Sequence, residues 1–143
     1  MYLERCKIKK SNLVGLTLAF FVLLVVIVIL ADANRLPPAL AVIYTFRYGD
    51  KAGHFLLIGL LNFLVALAIT TKRPDKIARA IAIGSLAVGS LATLEEASQN
   101  LFQARTASWG DLLSGYAGII VFGLLACWLR KREPRTVSGQ KDG

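Results

Sequence analysis

His54, the single histidine of the chain, stands four residues after Asp50 and three after Lys51. On a helix this spacing puts Asp50 and His54 on one face. Further along come Glu95, Glu96 and Gln99, then Arg105 and Asp111. Glu96 and Gln99, three residues apart, also fall on one helical face. An imidazole beside a carboxylate is the pairing that moves protons in acid/base chemistry, so His54, Glu96 and Asp111 are the candidate catalytic groups. Lys51 and Arg105 are cations suited to holding a phosphate or another anion. The candidate ligand-binding set is therefore Lys51, His54, Glu95, Glu96, Gln99, Arg105 and Asp111. A metal held by His54, Glu96 and Asp111 is conceivable, but one histidine with mixed carboxylates is a weak signature, and no resident metal or cofactor is expected. The sequence contains no nucleophile motif and no phosphate-binding loop.

These residues need elements to position them, and the composition says what kind. The chain has 143 residues, 55% of them hydrophobic, and a mean hydropathy of +0.57, more apolar surface than a core of this size hides from water. Uncharged runs cover 13–31, 55–71, 80–94 and 112–129. A helix crossing a bilayer needs roughly 17 to 25 residues, so three runs qualify outright and the third is short. The predicted fold is an all-α membrane protein, a bundle of four transmembrane helices. Between the first two helices, 39–48 is apolar but too short to span. With Tyr44, Phe46 and Tyr48 it reads as a segment lying in the membrane interface.

Charge fixes the expected orientation. The N-terminal segment, the second connection and the C-terminal tail hold thirteen of the 17 lysines and arginines, against four in the first and third connections. By the positive-inside rule both termini are cytoplasmic and the chain is a multi-pass protein of the bacterial cytoplasmic membrane. The net charge of +8 flanks the apolar runs without interleaved aromatics, so nucleic acid is not an expected partner. Cys6 and Cys127 fall near the reducing cytoplasmic face and no disulfide is expected. The first apolar run is longer than a signal-peptide core and reads as a retained anchor. Residues 1–132 form one transmembrane domain, and the polar tail 133–143 is expected to be disordered.

With that topology every polar group named above lies at the outer end of the bundle. The run 80–94 covers only about 22 Å of a core near 30 Å thick, so the third helix must continue through Glu95, Glu96 and Gln99 within the membrane boundary. A carboxylate there costs roughly 2.5 to 3.5 kcal/mol and persists when paired or facing a wet cavity. Arg105 is the only cation in the third connection and is the expected partner of Glu96. Asp50 and Asp111 also fit the plainer role of helix caps. Small residues on the third helix (Ala80, Gly84, Ser85, Gly89) and the fourth (Ser114, Gly115, Gly118, Gly123) suit close helix contact.

The ordered set Asp50-Lys51-x-x-His54-Phe55, Glu96-x-x-Gln99, Arg105 and Asp111 with Gly118 resembles the VanZ-like family of small bacterial membrane proteins, over 50–123. The family takes its name from a protein associated with teicoplanin resistance. The resemblance implies a site of His54, Glu96, Gln99, Arg105 and Asp111, with Gly118 serving helix packing. Two positions depart from the family's usual pattern. Gly115 stands where asparagine is frequent and Ile58 where tyrosine is frequent.

Three functions follow. The first is a module that binds a lipid-linked envelope precursor, a glycopeptide-type ligand or a partner membrane protein, and so affects the cell envelope or antibiotic resistance. The second is an enzyme acting by acid/base chemistry on a lipid-linked phosphate or sugar. Ion or proton translocation ranks third, because the polar groups crowd one rim and none of them lies midway along a helix. Membrane lipids are expected partners in all three. Whether the rim residues line an open pocket or fill one another's hydrogen bonds discriminates between them.

Overall fold

The computed structural model describes residues 10–69, 74–99 and 108–132. Among them the chain is helical without strands, in five helices: α1 (Lys10–Asp32), α2 (Pro38–Thr45), α3 (Gly49–Ala68), α4 (Pro74–Ser98) and α5 (Trp109–Arg132). All but α2 are long and apolar enough to cross a membrane. Their outward side chains, among them Val22, Ile83, Leu86, Ile120 and Leu124, are exposed, as lipid-facing residues must be. Cys6 and the tail 133–143 lie outside the described residues.

Local chemistry sets the boundaries. Asn34 takes a left-handed conformation (φ 52°) after α1, with Arg35 N donating to Leu30 O and Asn34 N to Ala31 O. This pair of bonds is a Schellman stop, satisfying carbonyls that the helix end leaves open. Pro38 then opens α2 at the first helical position, where a missing N–H costs nothing. The interfacial segment read over 39–48 is thus an eight-residue helix, and it packs on α3. The expected cap role of Asp50 does not hold. Tyr48 occupies the cap position of α3 without a side-chain bond, and Asp50 lies inside the first turn, where its charge suits the helix dipole. The same helix stops at Ala68, with Ile69 N bonded to Val65 O, short of the expected Thr71.

The most extensive packing is between α3 and α5, which are neighbours in space although α4 separates them in sequence. Glycine makes this approach possible. A Cβ on Gly118 would run into the backbone carbonyl of Phe55, and one on Gly115 would lie 2.9 Å from Ile58 Cδ1. Gly115 and Gly118 of α5 therefore serve the α3 contact. One core cluster joins Leu61, Val88 and Ile119; a second joins Ala66, Ile81 and Ala126 toward the opposite end. There Arg130 donates through Nη2 to Leu67 O, near the start of α4. α1 rests mainly on α3, where Thr17 Oγ1 reaches Leu64 O at 3.4 Å.

Candidate functional site

The first turns of α3 and α5 and the last turn of α4 meet at the end of the bundle away from Arg130. On α3, His54 Nδ1 lies 3.1 Å from the Asp50 backbone oxygen. A carbonyl only accepts, so Nδ1 carries the proton and Nε2 points onward with its lone pair or a second proton. Nε2 faces α4, 3.9 Å from Glu95 Oε2 and 3.7 Å from Glu96 Oε2. As expected from the short apolar run, α4 carries both glutamates inside the helix. Leu94, immediately before them, is 66% exposed on the lipid-facing side, whereas Glu96 is only 5% exposed.

Much of the rim is closed on itself. Asp111, 4% exposed, receives Lys51 Nζ at 3.1 Å, and the lysine stem passes over Gly110, where a Cβ would lie 2.8 Å from Lys51 Cε. Lys51 thus pairs with a buried carboxylate while its own side chain stays 42% exposed. Gln99, 2% exposed, donates Nε2 to Glu95 Oε1 at 2.8 Å, so its partner is the i−4 glutamate and not Glu96. The backbone N–H of Ser108 donates to Glu96 Oε1, tying the approach to α5 onto α4. Arg105 and its expected pairing with Glu96 lie outside the described residues. The described rim brings together four carboxylates, Asp50, Glu95, Glu96 and Asp111, against Lys51 and His54.

The remainder is open. A cavity of about 410 Å³ lies between α1, α3 and α4, within the range of roughly 300 to 1,000 Å³ typical of ligand sites. Phe21, Leu24 and Val28 of α1, Leu57 and Leu61 of α3, and Val88 and Ala92 of α4 line it, and His54, Glu95 and Ser98 close its polar end. The discriminating question has a divided answer. Lys51, Asp111, Gln99 and one oxygen each of Glu95 and Glu96 take part in structural bonds, and His54 and Glu95 also line the cavity. Two groups offer three ligand-type atoms each within 4.8 Å of one another: Asp50, His54 and Asp111, and His54, Glu95 and Glu96.

Reading the sequence for charge missed Asn62. It is fully buried midway along α3 and donates Nδ2 to Ile119 O at 2.9 Å, facing Gly123. A lone amide in an otherwise apolar membrane run is a signal that hydropathy averaging hides. It adds a polar group at mid-helix, but one fixed to the α5 backbone. Ser108 and the Thr93–Tyr116 hydroxyl pair, 2.8 Å apart, were also not singled out, and ordinary serine and threonine patterns give no such signal. Ile58 and Gly115, the two departures from the VanZ-like pattern, face each other across α3 and α5, the isoleucine filling the space that the glycine leaves.

Comparison of the chain with models of known protein families, with curated proteins and with solved structures finds no significant match. The site's geometry carries the functional argument by itself.

Proposed function

We propose that this chain is a VanZ-like binding module of the bacterial cytoplasmic membrane that takes the apolar chain of an envelope lipid into the α1–α3–α4 cavity and holds its polar head at His54 and Glu95. The carrying observation is the cavity itself, apolar along its length and ending on an imidazole and a carboxylate. The acidic balance of the described rim disfavours a bare phosphate and favours a head rich in donors, such as a sugar. Binding of that kind alters the availability of envelope lipids, which connects the module to envelope properties and antibiotic resistance.

The test is native mass spectrometry of the full chain in nanodiscs incubated with farnesyl glucoside, farnesol or farnesyl phosphate. A one-to-one adduct with the glucoside, at least tenfold more abundant than with either other probe, is expected. Equal retention of all three would contradict the reading. The approach of His54 Nε2 to Glu96 favours acid/base cleavage of the headgroup as a second reading. In that reading a water molecule adds across the glycosidic bond, and the adduct loses glucose while farnesol remains.

The proposal includes orientation, with both termini cytoplasmic and the rim outside. Lys76 and Arg79 at the start of α4 and Arg130, Lys131 and Arg132 at the end of α5 belong to the opposite end of the bundle from His54. With Cys6 and Cys127 replaced, a cysteine at Asn34 should react with an impermeant thiol reagent applied from outside, and one at Arg132 should not. The reverse pattern would invert the topology.

A further inference from the structure

We infer that His54, Glu95 and Glu96 form a binding site for one divalent first-row metal ion of the zinc or manganese type. The inference is independent of what occupies the cavity.

Glu96 is the most buried of the three side chains. It is 5% exposed, and its Oε2 has no hydrogen-bond partner among the described residues. A buried carboxylate oxygen without a partner carries a desolvation penalty that a cation would relieve. The atom opposite is His54 Nε2, at 3.7 Å. That separation exceeds the roughly 2.7 to 3.2 Å of an N–H···O bond, and it is shorter than the roughly 4.5 to 5 Å that two such bonds through one water span. Two ligands on one tetrahedral ion, with bonds of about 2.0 to 2.2 Å, lie roughly 3.3 to 3.5 Å apart. The pair is therefore within a few tenths of an ångström of ligand spacing, and Glu95 Oε2, 3.9 Å from the same nitrogen, completes a three-atom face.

The surroundings hold these atoms in place. His54 Nδ1 donates to the Asp50 carbonyl, which fixes the ring and leaves Nε2 for the ion. Gln99 donates to Glu95 Oε1 and the Ser108 backbone to Glu96 Oε1, so the other oxygen of each glutamate is directed toward His54. Such second-layer bonds to an imidazole and to carboxylates are how proteins orient metal ligands. The alternative triad through Asp111 is less suited, because Lys51 already occupies that carboxylate at 3.1 Å. One nitrogen with two carboxylates suits zinc, manganese or cobalt and gives magnesium little advantage.

The test is calorimetric titration of chelator-stripped full-length protein in detergent micelles with Zn²⁺, Mn²⁺ and Mg²⁺. One equivalent of Zn²⁺ or Mn²⁺ should bind at least tenfold more tightly than Mg²⁺. Co²⁺ should give visible d–d absorption that Zn²⁺ abolishes. Glu96→Gln and His54→Gln should each weaken binding at least 100-fold, whereas Arg79→Gln, at the opposite end, should not change it. Circular dichroism identifies which variants keep their helices, and either glutamine variant alone suffices for the comparison. Absence of stoichiometric binding to the wild-type protein, or wild-type affinity in a folded Glu96→Gln or His54→Gln chain, would overturn the inference.

Discussion

Replacing Gly118 by alanine should destabilise the bundle more than any other single methyl addition on α5. The added carbon would overlap the Phe55 carbonyl oxygen, with the Phe55 carbonyl carbon only 3.1 Å away. The obstacle is backbone, which cannot rotate aside as a side chain can, so α3 and α5 must separate. Overpacking costs typically about 1 to 3 kcal/mol, and backbone overlap should place this variant at or above the upper end. Gly15→Ala on α1 is the control, since nothing lies within 4 Å of its added carbon. Alanine there should be neutral or stabilising by up to about 1 kcal/mol, the difference in helix propensity. Thermal unfolding of both variants in one detergent checks the pair; equal melting temperatures would mean that α3 and α5 do not meet at Gly118. Because Lys51 and Asp111 face each other across the same two helices, Gly118→Ala should also loosen the rim.

Why the helices were legible and their partners less so is visible in particular residues. Length and apolar content locate α1, α3, α4 and α5 because a bilayer demands both. The tandem prolines Pro37 and Pro38 mark the break after α1. Arithmetic on helix rise predicts that α4 continues through Glu95 and Glu96, and it does carry both. Spacing alone could not tell which neighbour each side chain meets. Gln99 is three residues from Glu96 and four from Glu95, both on one helical face, and only the structure shows that it bonds Glu95. Lys51 reads as an anion contact, and nothing in the sequence shows that Asp111 is buried beside it. Gly118 was recognisable as a packing residue, but whether it faces α4 or α3 depends on the rotation of α5, which a helix that is apolar all round does not encode. Asn62 was overlooked because one amide hardly lowers the hydropathy of its run.

The second large effect concerns the cavity. Ala92→Phe places a ring in the space bounded by Leu24 and Val28 of α1 and Leu61 of α3. In a packed core this change would cost about 1 to 3 kcal/mol. In a cavity of about 410 Å³ the ring finds room, and its packing against the lining side chains offsets the lipid contacts it replaces. The variant should therefore melt at or above the wild-type temperature while excluding any chain that would lie between α1 and α4. Retained stability with lost binding separates a ligand site from a packing contact. Falling stability would show that Ala92 is part of a filled core.

Titration of farnesyl glucoside into nanodiscs holding either the wild-type chain or Ala92→Phe shows whether the α1–α3–α4 cavity is where the lipid binds. Saturable one-to-one binding to the wild type and at least a 100-fold weaker affinity for the filled variant are expected, with both proteins fully helical. Equal affinity in the two chains would place the ligand elsewhere and contradict the assignment of the α1–α3–α4 cavity as its site.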